Sequence, residues 1–403
     1  MKKSFWFQIH WLLGIVLGVI IAIIGVTGAI LSFRSEISSF INKDIVFVQP
    51  NGRTPLAVNE LLEKVSIKMP DFKINSLTLA SEPDKTAKIS VTGANSTNMR
   101  GKIYHIDPYT AEILPDLRGE EFFMLMVKWH RWLGDYTIAG KQLVAAATVA
   151  LIILSFTGLY LYFPLMKHKF LSSLTIDFKK KGRGFLYKLH SVFGIWTLIF
   201  VLLMSFTGLY WSYEWYRNGL YWLSGVEKPT MHRMLSNTNQ TAQNASKNKI
   251  DVEITQTNGS KITTASIGTN EIYLAATQAY ELFKETVNGD YTAATIMLSQ
   301  YNGKLLTFNY YPLNPAHSRA TNQLQINMEK NKVAQHSRYE DKKLGEKFMS
   351  SIFPLHSGDF FGITGLVLYC FSSLAMALFA ITGYMLYYDR FVKNRKKAKR
   401  KDA

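Results

Sequence analysis

The 403-residue chain predicts a membrane protein of α-helical class: four transmembrane helices in a duplicated span–domain–span unit, with two small α+β domains held outside the membrane. Three observations predict it. Residues 11–33, 142–164, 192–213 and 361–388 are nearly free of charge, and each matches the roughly 20 residues a helix needs to cross a bilayer. Basic residues gather in three segments, which carry 17 basic and 3 acidic residues and account for most of the +17 formal charge. One spacing also recurs. His10 stands four residues before Gly14 and eighteen before Gly28, as His190 does before Gly194 and Gly208.

The first span, within 1–34, follows Lys2 and Lys3 as a secretory signal would. Its apolar run is too long for one, however, and ends in Phe33-Arg34-Ser35-Glu36 instead of a small-residue cleavage site, so it should remain as an anchor. Residues 35–120 form the first outer domain. A helix over 56–64 precedes strands at Ile74–Ala80, Ala87–Thr92 and Lys102–His105, with turns at Glu82-Pro83-Asp84 and Asn95–Gly101. Residues 121–164 hold a re-entrant segment and the second span. Phe122–Leu133 is amphipathic and carries His130 before Gly134-Asp135 breaks it.

A basic loop, 165–189, leads to the third span at 190–214. Residues 215–343 repeat the outer domain around a polar insert, Ser236–Asn248, that has no apolar periodicity and reads as a linker. Its expected elements are a helix over Glu271–Thr286, a strand pair about Tyr301-Asn302-Gly303, and a strand near Gln323–Met328. Residues 344–388 hold the second re-entrant segment, with His356 before Gly358-Asp359, and the fourth span; 389–403 is a basic tail. Short loops rich in Lys and Arg stay in the cytoplasm, so both termini and the 165–189 loop are expected there, in a bacterial inner membrane. The same charge reads as an orientation and lipid-headgroup signal, and nucleic acid is not an expected partner. Cys370, alone and inside a span, excludes an intramolecular disulfide.

Topology decides which histidines can meet. His10 and His190 begin helices on the cytoplasmic side, whereas His130 and His356 lie where the chain re-enters from outside. At roughly 1.5 Å per residue, the two ends of the first span are about 27 Å apart, which rules out pairing across the membrane. That leaves two His–His pairs, one per face. Paired imidazoles with no carboxylate or thiolate neighbour suit haem iron better than zinc. Gly14, Gly194 and Gly134 would leave room for a flat macrocycle. The four Thr-Gly pairs, at Thr27, Thr157, Thr207 and Thr382, are assigned to helix packing.

Arg34, Arg131 and Lys188 lie near the two sites and could pair with haem propionates. Met231-His232-Arg233-Met234 is a weak copper candidate. His105, His317 and His336 are expected at the surface of the outer domains. The tyrosines and tryptophan at the span ends, Tyr160 to Tyr388, fit an interfacial belt. No nucleophile motif, phosphate loop or paired-carboxylate arrangement stands out, so no catalytic side chain is named.

The His-x3-Gly motif before a span, Thr-Gly-Leu-Tyr near its end, and Tyr104-His105-Ile106-Asp107-Pro108-Tyr109-Thr110 in the helix-plus-strands domain together resemble the PepSY-associated transmembrane family, over nearly the whole chain. The second outer domain departs from it in lacking a clear Asp-Pro-Tyr-Thr. That family has four spans with PepSY domains between them and includes iron-regulated inner-membrane dihaem ferric-siderophore reductases. The resemblance implies two haem b, one ligated by His10 and His190 and one by His130 and His356, in a membrane oxidoreductase. Electrons would pass from a flavoprotein reductase or quinol to a ferric siderophore or other ferric chelate outside. Two other readings stand beside it: a quinol-linked reductase of a non-iron acceptor, and a haem-free scaffold whose PepSY domains bind a protease or peptide.

Overall fold

A computed structural model describes residues 2–93, 101–229 and 268–399. The polar insert, the Met231–Met234 cluster and most of the Asn95–Gly101 turn lie outside the described residues. Four helices are long and apolar enough to cross a membrane: α1 (Lys2–Ser32), α6 (Ile138–His168), α8 (Gly182–Ser212) and α12 (Gly362–Lys399). Each overruns the apolar stretch visible in the sequence. At about 1.5 Å per residue, a 31-residue helix reaches roughly 46 Å, beyond the hydrocarbon core and into the headgroups.

These helices pack in the ring order α1–α6–α8–α12, which sets α1 and α8 on one diagonal of the bundle and α6 and α12 on the other. Most of their side chains face outward and are apolar, as Val16, Val19, Phe156, Ile199 and Val367 are, which is the pattern a lipid environment favours. The midplane between the two ends is closed by Ile21, Ala147 and Met376.

Two shorter helices dip against one end of the bundle, at the face where the sheet lies. α5 (Glu120–Trp132) packs on α1 and α6, and α11 (Leu344–Ser357) packs on α8 and on α9 (Glu214–Ser224). Both end in left-handed backbone, at Leu133 (φ 55°) and Gly134 (φ 86°) after α5 and at Gly358 (φ 87°) after α11. Gly134 therefore serves the turn; it is not clearance for a ligand. The remaining helices are α2 (Arg34–Ile41), α3 (Lys43–Val46), α4 (Val58–Lys68), α7 (Phe170–Ser173) and α10 (Thr269–Val287).

The segments between α1 and α6 and between α8 and α12 do not build separate sheets. Their strands β1 (Phe72–Ala80), β2 (Ala87–Gly93), β3 (Lys102–Ile106), β4 (Ala293–Ile296), β5 (Leu305–Tyr311), β6 (Asn322–Asn327) and β7 (Lys332–Ser337) form one antiparallel sheet in the order β3-β2-β1-β4-β5-β6-β7. The seam is β1 against β4, with Leu77 opposite Ile296 and a 2.9 Å bond between the Thr78 and Thr295 hydroxyls. Joining there pairs two edges that each half would otherwise leave open. α4 and α10 lie side by side, tied by the Asn59 N–H donating to Thr277 Oγ1 at 2.8 Å, and bury Leu62, Val65, Ala276 and Phe283 in one core with Leu77, Ile89, Leu306, Phe308 and Leu324. Alternate residues of β6, Asn322, Leu324 and Ile326, are buried, as a half-covered strand requires.

Candidate functional site

The bundle brings the four histidines together in two pairs, His10 with His190 and His130 with His356. In each pair the ring centroids are 6.2 Å apart, with the planes inclined at 76° and 67°. His10 and His190 reach each other across the α1–α8 diagonal at the end where the termini lie. His130 and His356 come from the last turns of α5 and α11 at the end that carries the sheet. Along α1, seventeen residues separate His10 from Thr27, which touches His130, so the pairs lie about 26 Å apart.

Every one of these imidazoles is held at Nδ1 by the threonine of a Thr-Gly pair on another helix. His10 meets Thr157 Oγ1 at 2.9 Å and His190 meets Thr382 Oγ1 at 2.8 Å. His130 and His356 each meet a threonine at 3.1 Å, Thr27 and Thr207, and each also reaches a main-chain carbonyl at 3.0 Å, Ile24 O and Met204 O. The threonine hydroxyls donate to carbonyls one turn back, as Thr157 does to Ile153 O at 2.8 Å and Thr382 to Leu378 O at 2.6 Å, which leaves their oxygens to accept from Nδ1–H. Nδ1 is thus the protonated nitrogen, and Nε2, with its lone pair, makes no hydrogen bond among the described residues in any of the four.

The glycine that follows each threonine completes the cradle in three cases. A Cβ at Gly28, Gly158 or Gly208 would stand 3.1–3.2 Å from the Cε1 of His130, His10 or His356. Thr-Gly therefore orients a histidine, a role that packing alone does not describe. The repeated spacing carried this signal, but each partner lies 103–192 residues away in sequence.

The donor set limits what the pairs could hold. Among the described residues no three His, Cys, Asp or Glu side chains cluster as a metal site, so a bare ion at either pair would find two such ligands there. A metal–imidazole bond of about 2.0 Å on each side, plus roughly 1.1 Å from nitrogen to ring centre, sets trans imidazoles about 6.2 Å apart. The separation of both pairs fits an iron whose four remaining ligands belong to a macrocycle. Around His10 and His190 the bundle opens into a cavity of about 1520 Å³, beyond the roughly 300–1,000 Å³ of ordinary ligand pockets. Gly14, Gly18 and Gly194 line it, and a Cβ at Gly194 would meet nothing within 4 Å. Phe379 and Trp211 flank the pairs, 5.3 Å from the His190 ring and 5.2 Å from the His356 ring.

The cations named from the sequence sit differently. Arg34 pairs with Glu120 at 2.6 Å, fastening α2 to the first turn of α5. Arg131, beside His130, lays its guanidinium over the Trp132 ring at 4.3 Å. Lys188 is buried and points its ammonium at the Ser172 carbonyl and, at 3.5 Å, at Tyr162 Oη, pinning the α7 connection. His105 and His317 are not surface residues. His105, 5% exposed, bonds Thr86 Oγ1 at 2.7 Å, and burial, assisted by Lys88, lowers its pKa to about 4. His317 accepts from Arg319 N at 3.1 Å and meets Tyr339 Oη at 2.9 Å and Ser351 Oγ at 3.2 Å, joining the sheet to α11. Half-buried His336 contacts Tyr310 Oη at 2.7 Å.

No curated protein sequence matches the chain. The model of the family described as the PepSY-associated TM region, in contrast, matches residues 7–390, which takes in all four spans, the sheet between them and both histidine pairs. The chain is a multi-pass membrane protein and belongs to the PepSY-associated TM region family.

Proposed function

We propose that the chain is a dihaem b-type cytochrome of the bacterial inner membrane that passes electrons from a cytoplasmic or membrane donor to an acceptor outside, a ferric siderophore or other ferric chelate. The observation that carries this reading is the pair of imidazoles with ring centroids 6.2 Å apart at each end of the bundle, each with its Nδ1 engaged by a threonine. Bound between such a pair, haem supplies one-electron chemistry. His10 and His190 would hold one group, His130 and His356 the other. With two imidazoles as its protein ligands, such a haem would be suited to electron carriage rather than ligand activation.

The protein's own residues do the rest. Thr27, Thr157, Thr207 and Thr382 keep a proton on Nδ1 and so keep Nε2 basic, the outer-shell role that histidine ligands require. The apolar midplane keeps water and protons from crossing between the two ends. The 17 basic residues of the termini and the 165–189 loop support cytoplasmic termini, with His10 and His190 then inside and the sheet outside. A flavoprotein reductase or a quinol would supply electrons on the inner side. The span–domain–span order on either side of the β1–β4 seam supports an internal duplication with PepSY-like halves.

The purified protein should contain two low-spin haems per chain by pyridine haemochrome assay. His10→Ala and His130→Ala should each remove one and spare the other. A colourless protein, or one haem per chain, would sink the reading.

A further inference from the structure

The cavity around His10 and His190 has a polar end that the ligand pairs do not explain. Its lining includes two cations, Arg183 and Arg390, and no carboxylate. Both lie on the side of the termini. Arg183 is seven residues before His190 on α8, and Arg390 eight after Thr382 on α12, which sets each about 10–12 Å below the histidine level along its helix, at the mouth of the cavity. Neither forms an ion pair among the described residues, and the Arg390 guanidinium lies over the Phe7 ring at 4.9 Å. Above the histidines the wall is mostly apolar, with Leu151, Leu154, Leu198 and Val201, and the hydroxyls of Ser155 and Thr197 there are spent on carbonyls of their own helices.

Resting on the proposed function, we infer that Arg183 and Arg390 form a clamp for two carboxylates at one edge of the inner macrocycle, the propionates of haem b, so that the ring stands edge-on with that edge toward the termini. The cavity's own polarity supports this: two positive charges at one end and mostly hydrocarbon at the other match a flat apolar ligand with two anionic groups on one side. Guanidinium forks bind carboxylates with paired, charge-assisted bonds, and here they would do so at a mouth where the remaining walls offer mostly tyrosine and phenylalanine. Arg34, occupied by Glu120, offers no equivalent at the other site.

The test compares haem b with its dimethyl ester, which keeps the ring and iron but removes both charges. In a His130→Ala/His356→Ala background, which leaves only the inner pair, haem-stripped protein should bind the ester at least about tenfold more weakly than haem. Adding R183Q/R390Q should weaken haem binding and abolish that preference. Equal affinity for the two porphyrins with the arginines present, or a preference that survives their loss, overturns the clamp alone. Uptake of neither porphyrin by the unsubstituted chain overturns the proposed function and the clamp together. Should the quadruple variant not fold, R183Q/R390Q in the otherwise intact chain should lower haem content from two toward one per chain and shift the midpoint potential of the haem that weakens. Unchanged content with both potentials unmoved overturns the clamp.

Discussion

Thr382 touches His190 from a helix 192 residues away, and its replacement by valine keeps the shape while removing the oxygen that accepts from Nδ1. Thr382→Val and Thr157→Val should each lower affinity for the group at the inner pair by about 10–100-fold, the usual cost of losing such a partner. Thr→Ser at either position should restore it. Haem retained through gel filtration measures both effects, and a valine variant with full retention would return these threonines to plain packing. The histidines were legible because four of them recur at fixed distances before apolar runs. The threonines recur just as regularly, but their role was hidden, since sequence spacing says nothing about which helix a side chain faces. His105 was misplaced for a similar reason: Tyr104-His105-Ile106 looks like any alternating strand, yet His105 and Ile106 are both buried and His105 bonds Thr86. Its burial makes a second prediction. A histidine held near 4 when folded and near 6.5 when unfolded takes up its proton first in the unfolded chain, so stability is full above about 6.5 and falls as pH drops toward 4, by up to roughly 3 kcal/mol. Thermal unfolding of the sheet followed from pH 7.5 to 4.5 should show this loss, and His105→Asn should flatten it.

At the scale of elements, the four spans and the re-entrant helices follow from composition and from Gly-Asp breaks, and the structure keeps them within a few residues at the re-entrant ends. The single sheet does not follow. Period-two alternation identifies strands, whereas the β1–β4 seam depends on two edges meeting after more than 200 residues, and nothing local encodes that. β7 does not follow from the sequence pattern, because Lys332–Ser337 is short and mostly polar; it pairs with β6 after Asn331 adopts φ 48° and reverses the chain. Gly358 shows how an element end serves the site. Its φ of 87° suits glycine, and a Cβ there would stand 2.7 Å from Tyr369 Cγ, so Gly358→Ala strains the backbone and pushes on a fully buried ring. Because His356 lies two residues earlier, this change should loosen the outer pair while leaving the inner one. Reduced haem spectra should show one altered component; two unaltered ones would mean the α11 terminus is not needed to aim His356.

For the whole molecule, orientation and order of transfer are the claims at stake, and each has a measurement. In a Cys370→Ser background, a cysteine at Ser81 should react with an impermeant thiol reagent in intact spheroplasts and one at Ser172 should not; labelling at Ser172 alone would invert the protein and the direction of flow. With the orientation known, the two sites should work in series, because they lie about 26 Å apart along α1 at opposite ends of the bundle, with the apolar Ile21, Ala147 and Met376 between them. In oriented vesicles, a donor confined to the side of the termini should change the absorbance of both sites in the intact protein. With His10→Ala or His190→Ala it should leave the outer site oxidised, while an impermeant reductant added on the sheet side should still reduce that site, since His130 and His356 are untouched. Chelate reduction driven from the inside should fail in variants of either pair. If loss of His10 or His190 left that rate unchanged, electrons would have to enter at the sheet-side leaflet, as a membrane quinol could deliver them, and the inner pair would have no part in the path.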